Sequence, residues 1–506
     1  MGFELSNYSI ARLKEYLASY SQGATNIILE RKFHLGYFAS YFRKFDAKVI
    51  FVEQDYIDKD YLEDYSFYYV SSFFPYRRFC SRFHFFTIDF SNEDFMNFIG
   101  GKPSPINEAV LYANYLGFIV IKPLPQTIIG RTCLKTYPPE GKRFYPIIRA
   151  YPVNLFGIKL SVDSIAFQEQ DSIVAACASS AIWTAFHATG SLFHHAIPSP
   201  VAISKAATKF FPFLNRHFPN SGLTAEQMAH AIRNVGLEPF IFNANYNDLI
   251  KAVTYAFLKA KIPLVLGVNL KNQIENHNLG YHAVTLTGYS FDGPIGDFQG
   301  DKFILSSSRI NKIYVHDDQV GPFARMEFIH AAELSTSWKD NHFGRQDDVI
   351  AEPMILVLPL YNKIRIPFLT ILMTFKLFDK IIRNVTRASG VPSPEIEWDI
   401  FLSTINDFKH EIIDTPHIES RTRQEILINN FPRFIWRVIG TIGSEKIEFI
   451  FDATDIEQGN LLRLVLIYSK YLFETLKNIS SYIDITKINS HLVRNLIIKL
   501  QNTTYP

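Results

Sequence analysis

Apolar and polar positions along this chain follow two periods, and the places where one gives way to the other mark its elements. From Tyr8 to Tyr20 the apolar positions recur at helical spacing, whereas Lys48-Val-Ile-Phe-Val52 and Phe83-His-Phe-Phe-Thr-Ile-Asp89 read as strands. Glu108 to Leu116 predicts a short helix leading into the strand Gly117-Phe-Ile-Val-Ile-Lys122, which Pro123 and Pro125 stop. Residues 1–150 therefore predict a mixed α/β domain, aromatic-rich from Tyr56 to Phe98. Those rings predict a phenylalanine-packed core or, alternatively, a recognition surface for a partner protein.

Between residues 151 and 350 a helix is expected from Cys177 to about His187. A second is expected after Thr224, a plausible N-cap, with Gly236 as its stop, and a third from Lys251 to Ala260. Strands follow at Ile262–Asn269, in Gly280-Tyr-His282-Ala-Val-Thr-Leu-Thr-Gly288, at Phe303-Ile-Leu-Ser-Ser, and before Asp317. Helices first and strands after predict an α+β fold class. From 351 to 506 the pattern predicts a mainly helical region, with helices near 366–384, 396–412 and 458–478 around a β-hairpin, Phe434–Thr441 and Lys446–Asp452. Ala388-Ser-Gly-Val-Pro-Ser-Pro394 reads as a linker.

Composition narrows the function classes. A chain of 506 residues predicts two or three domains. A net charge of +2 makes no demand for nucleic acid or an anionic membrane as partner. Three cysteines, Cys80, Cys133 and Cys177, are too few for a disulfide framework and predict a reducing compartment. Met1-Gly-Phe-Glu-Leu-Ser-Asn7 has no basic patch followed by an apolar run, so a cytoplasmic location is expected. Asn362, Lys363 and Arg365 interrupt the apolar run from Met354 to Phe375, which predicts a buried strand and helix rather than a membrane span.

The candidate chemistry lies in three places. Gln170-Asp-Ser-Ile-Val-Ala-Ala-Cys177 passes from a polar run into a small-residue, helix-forming run. The sulfur is thereby expected at a helix N-terminus, where the dipole and free amides favour a thiolate. His282 opens a β-branched strand, so its direction is fixed by backbone, as a general base requires. Asp317 and Asp318 follow a further strand. Adjacent strand residues face opposite ways, so only one is expected to face the histidine, and Asp317 is favoured. The backbone amide of Cys177 and the side chain of Gln170, with Gln168 in reserve, are the candidate oxyanion donors. Each residue also has a plain reading: a small buried cysteine, a strand-end histidine, two solvated turn aspartates. His277 and His282 with Cys177 have irregular spacing for a metal site, so neither metal nor cofactor is expected.

Taken together, these segments resemble the papain-like cysteine peptidase superfamily, nearest to the branch of bacteriocin-leader-processing peptidases and their stand-alone relatives. The resemblance covers roughly residues 160–330. It is carried by the Gln-rich segment before Cys177, Gly222-Leu-Thr-Ala-Glu226, Pro263-Leu-Val-Leu-Gly-Val268, Gly280-Tyr-His282-Ala-Val-Thr-Leu-Thr-Gly288-Tyr289 and Val315-His-Asp317. It implies a papain-like core, with a nucleophile helix and an antiparallel sheet carrying the histidine and acid. In that core Cys177 is the nucleophile, His282 the base, Asp317 the orienting acid and Gln170 the oxyanion donor. Asp171 stands six residues before Cys177, where the family places its glutamine, and Gln170 lies one further away. The function expected is that of a bacterial thiol hydrolase cutting a peptide or isopeptide bond of a peptide or protein substrate. An acyltransferase of transglutaminase type with the same residues, or an inactive scaffold, are the alternatives, and the oligomeric state stays open.

Overall fold

In the computed structural model the described residues are 2–171, 173, 176–209, 222–329, 332–342, 345–390, 392–415, 418–455 and 461–503. They form a mixed α+β protein with several antiparallel sheets. The chain divides into two compact units. One comprises Met1–Asn245, Ile262–Tyr289 and Lys312–Pro359; the other comprises Tyr246–Lys261, Ser290–Asn311 and Leu360–Pro506. The boundary drawn near residue 150 falls inside the first unit, and the 151–350 segment contributes residues to both.

The first unit holds a five-stranded antiparallel sheet, ordered Phe3–Asn7, Val49–Tyr56, Cys80–Phe86, Tyr115–Ile121, Ile129–Leu134. Helices Ile10–Tyr20 and Phe33–Lys44 bury Leu13, Leu17, Phe38 and Phe42 against Ile50, Val52, Phe83 and Phe85 on one of its faces. The stacked pair Phe42–Phe85, centroids 3.9 Å apart, shows how the aromatic surplus is used here: it is core.

The second sheet of this unit is the one that matters for chemistry. Its main path runs Gly321–Glu327, Ile310–Asp317, Asn278–Phe291, Leu264–Asn272, Arg345–Leu360, Leu334–His342. The short strand Arg143–Phe144 pairs with the Asn278–Phe291 strand. There Gly288 lets the backbones approach so closely that a Cβ would lie 2.3 Å from the Phe144 carbonyl oxygen. Against this sheet lies the helix Cys177–Phe193, almost wholly buried. Its alanines and serines permit the close approach, and the Thr285 hydroxyl of the sheet donates to the Ala181 carbonyl at 2.7 Å. Thr184 donates to the Ala166 carbonyl at 3.0 Å and the Trp183 indole donates to Asp60 at 3.2 Å, which fixes the helix from its other sides. His194, in the left-handed conformation, ends it by donating its backbone N–H to the Gly190 carbonyl.

In the second unit the expected hairpin is present as Phe434–Ile442 and Glu445–Asp452, but it is the centre of a five-stranded sheet. Two of the flanking strands, Glu397–Thr404 and Leu462–Ile467, lie where helices 396–412 and 458–478 were expected. Each of those stretches is a strand followed by a helix. Thr404 caps Ile405–Asp414 by accepting from the Asp407 amide, and Ser469 precedes Lys470–Ser481. Helical periodicity in the second half of each stretch masked the aromatic and β-branched first half. The helix Phe368–Ala388 packs Phe375 and Phe378 on Trp398 and Phe449. Among the described residues no helix is long and apolar enough to cross a membrane.

The Thr285–Ala181 bond ties the Cys177 helix to the His282 strand, so Thr285→Val should destabilise the unit by about 1 kcal/mol. That corresponds to a fall of roughly 2–4 °C in its unfolding midpoint. An unchanged midpoint by calorimetry would show that packing alone holds the helix.

Candidate active site

Cys177 is the first residue of its helix and is only partly buried. Ala176, the N-cap, offers no side-chain acceptor, and the first turn holds no acidic residue. The N–H groups of that turn are thereby left as donors at the sulfur, with the positive end of the helix dipole behind them. The other two cysteines differ. Cys80 and Cys133 are buried in the five-stranded sheet, where burial raises the Cys80 thiol well above its usual range and pushes Cys133 up to about 12.

His282 sits near the start of its strand and is buried. Its Nε2 lies 3.0 Å from Asp317 Oδ1 at the end of the neighbouring strand and 3.6 Å from Asp318 Oδ1. The Cys177 thiol stands beside the ring, where it favours the charged form. Burial works against the imidazolium, but the charges of Asp317 and then Asp318, with the bonds from Asp317 and Cys177, outweigh it. The ring is held well above the ordinary histidine value.

The expectation that only one of Asp317 and Asp318 can face the histidine is corrected here. Asp317 is the last residue of its strand, the register against Gly321–Glu327 shifts between Val315 and Asp317, and Asp318 already belongs to the turn. Alternation ends with the strand, so both carboxylates reach the same ring. They are not equivalent. Asp317 Oδ2 accepts from the Trp338 indole at 2.7 Å and Oδ1 accepts from the Gln319 amide at 3.1 Å. Burial opposes its charge, yet the His282 cation and these donors hold it below the usual carboxylate range. Asp318 accepts from the Gln319 side chain at 2.9 Å, but burial, together with the charge of Asp317, pushes it up to about 6.

Neither glutamine is joined to Cys177 by a hydrogen bond among the described residues. Gln170 is partly buried just before residues 172, 174 and 175, which lie outside the described residues. Gln168 is buried with its side chain lining a small cavity shared with Ser180, Ala181, His316 and Asp318. Asp171, in the family's glutamine position, is occupied otherwise: Tyr69 donates to its Oδ2 at 2.7 Å and the Ile173 amide to its Oδ1. His187 and His316 are buried elsewhere, where burial holds both imidazoles neutral. His277 lies near Glu275 and Asp340, at 3.6 and 3.3 Å.

Trp338 and Gln319 are the site residues that sequence reasoning missed. The signal for Trp338 was slight: one of four tryptophans, in a polar strand. Its ring also stands edge-on to His282, centroids 5.1 Å apart, which keeps water from the imidazole–carboxylate pair. His282, Asp317 and Asp318 are the three ligand-type residues close enough to hold a metal ion among the described residues, all within 4.8 Å. Asp317 accepts from the Trp338 indole and the Gln319 amide, and Asp318 Oδ2 from the Gln319 side chain, while Asp318 Oδ1 has no hydrogen-bond partner among the described residues.

The two aspartates should separate in pH dependence. A carboxyl whose folded pKa is raised contributes stability that is full below its unfolded value and lost as pH rises through the folded one, here between about 4 and 6. Asp318→Asn should therefore gain stability relative to the parent between pH 4 and pH 8. Asp317, depressed in the fold, contributes stability that is present above its unfolded value and lost in acid, so Asp317→Asn should lose stability relative to the parent at pH 7. Thermal midpoints across that range check both signs, and parallel curves for all three proteins would refute the assignment. No protein-family model and no curated protein matches this chain, so its chemistry is read from these residues alone.

Proposed function

We propose that the chain is a papain-like thiol hydrolase that cleaves a peptide or isopeptide bond. The observation that carries this reading is the line of Cys177, at the uncapped start of a buried helix, through His282 to Asp317. A helix bearing the sulfur, laid against an antiparallel sheet that bears histidine and acid on neighbouring strands, is the layout expected of a papain-like core.

In this reading the Cys177 thiolate attacks the substrate carbonyl while His282 holds the proton. The backbone N–H of Cys177 donates to the oxygen that becomes negative, with Gln170 as the side-chain candidate beside it. His282 then gives its proton to the leaving amine, and an acyl-enzyme remains on sulfur. Water, deprotonated by the imidazole, attacks the thioester and frees the thiol. Asp317 fixes the ring's direction and supports its positive charge throughout, and Trp338 fixes Asp317. A reducing, cytoplasmic setting is supported by three free cysteines, since oxidation of the sulfur would end the reaction.

Iodoacetamide should label Cys177 ahead of Cys80 and Cys133 below pH 7, read by peptide mass spectrometry. Cys177→Ala should abolish turnover of peptide libraries, and His282→Ala should cost ~10²–10⁴-fold. Undiminished turnover in Cys177→Ala would overturn the reading. Product that forms only with an added amine would instead select acyl transfer by the same residues.

A further inference from the structure

We propose that the helix Phe33–Lys44, from the N-terminal part of the chain, belongs to the apparatus of this site, with His34 as a positioning residue for the acid turn. The inference rests on the thiol-hydrolase reading above and extends it to residues far from the motifs that suggested it.

The first two turns of this helix meet the Asp317–Gly321 turn and its supports. His34 Nε2 lies 2.9 Å from the Asp318 carbonyl oxygen. A carbonyl can only accept, so the ring must carry its proton on Nε2 and donate. Burial holds the imidazole neutral, its Nδ1 has no hydrogen-bond partner among the described residues, and the ring packs against Phe38 and Phe167. One proton, one acceptor and an apolar wall fix the tautomer without recourse to charge. A buried histidine used in this way spends its single donor on the backbone carbonyl that follows the second acid, inside the turn.

Two neighbours on the same helix act on the same turn. Phe33 lies against Trp338, centroids 5.8 Å apart, and Trp338 is the donor to Asp317. Tyr37 covers Gly321, the residue at which the chain leaves the turn. A Cβ there would lie 2.6 Å from the tyrosine ring, and the backbone has φ of +149°. Just before the helix, Lys32 pairs with Glu169, whose other oxygen accepts from the Ile129 amide at 3.0 Å. The helix thus bears on the acid turn at its backbone, at its exit glycine and through the indole that holds Asp317. At the same time it reaches the segment that precedes Cys177.

The consequence is mechanical. Asp317 is the last paired residue of its strand, opposite Gly321 after a register shift, so its direction depends on the turn as well as on the pairing. Without the His34 bond the Asp318 carbonyl is buried and unpaired, the turn shifts, and the Asp317–His282 contact lengthens. The imidazolium then loses support, and the Cys177 sulfur loses its cationic neighbour. The charged and titratable groups around these two histidines are Cys177, Asp317 and Asp318 for His282, and Lys32, Glu169, Asp317 and the Asp318 backbone for His34.

The test is the rate of Cys177 alkylation by iodoacetamide against pH in the full chain, with folding followed by circular dichroism. At pH 5–6 the parent should label at Cys177 ahead of Cys80 and Cys133, and its Cys177 curve sets the reference inflection. His34→Leu should move it upward by about one pH unit or more, slowing labelling at least tenfold at pH 5–6, and His34→Gln, which keeps a donor near Nε2, should restore it. Phe33→Ala, at a partly buried position, should move it the same way and serves if His34→Leu does not fold. A folded His34→Leu protein with the parent's inflection, or Phe33→Ala with the parent's inflection where His34→Leu is unfolded, overturns the positioning role and leaves the thiol-hydrolase reading intact. A parent in which Cys177 is labelled no faster than Cys80 and Cys133 removes that reading and this inference together.

Discussion

A charged imidazole buried against a charged carboxylate is the constraint around which the first unit is arranged. His282 and Asp317 are both almost wholly shielded from water, and taking either ion out of water alone would cost several kcal/mol. The pair persists because the carboxylate is well supplied with donors. Indole and backbone amide donate to Asp317, and the Cys177 thiol beside the ring favours its charge. The rest follows from that need. The indole must come from a further strand, the amide from a tight turn, and the thiol from a helix that can approach the sheet closely enough, which is why its inner face is alanine and serine.

Much of this was legible in the sequence because the elements that hold Cys177 and His282 carry local signals. A small-residue run after a polar one marks a helix start, and His282-Ala-Val-Thr-Leu-Thr marks a strand. What was not legible depends on contacts between distant segments. Trp338 lies 21 residues from the aspartate it serves, and His34 lies 284 residues from the carbonyl it holds. No periodicity reports such partners. The error at Asp318 has a different source: alternation was carried one residue past the end of a strand, where it no longer applies. The strands Glu397–Thr404 and Leu462–Ile467 were lost for a related reason, since each is followed closely by a helix and the two periods overlap in one window.

The oxyanion donors show where local reading stops being useful. Position 171 holds an aspartate whose oxygens are taken up by Tyr69 and Ile173, so it organises the approach to the helix and offers no donor. A buried carboxylate with two donors on it cannot also stabilise a negative oxygen. In the proposed hydrolysis that duty would fall on the amides of the helix start, which the fold fixes whichever glutamine lies nearby.

The second carboxylate has a chemical logic that one acid would lack. Two ionised aspartates on one ring would hold the imidazolium so firmly that it would give its proton up slowly, which weakens it as the acid for a leaving amine. Burial beside Asp317 instead keeps Asp318 near the edge of ionisation, at about 6. In the proposed hydrolysis it would relieve or reinforce the charge on His282 as the sulfur passes from thiolate to thioester. Only groups packed this tightly interact strongly enough for such exchange, and the Gln319 side chain, which donates to Asp318 alone, keeps the two acids from trading places.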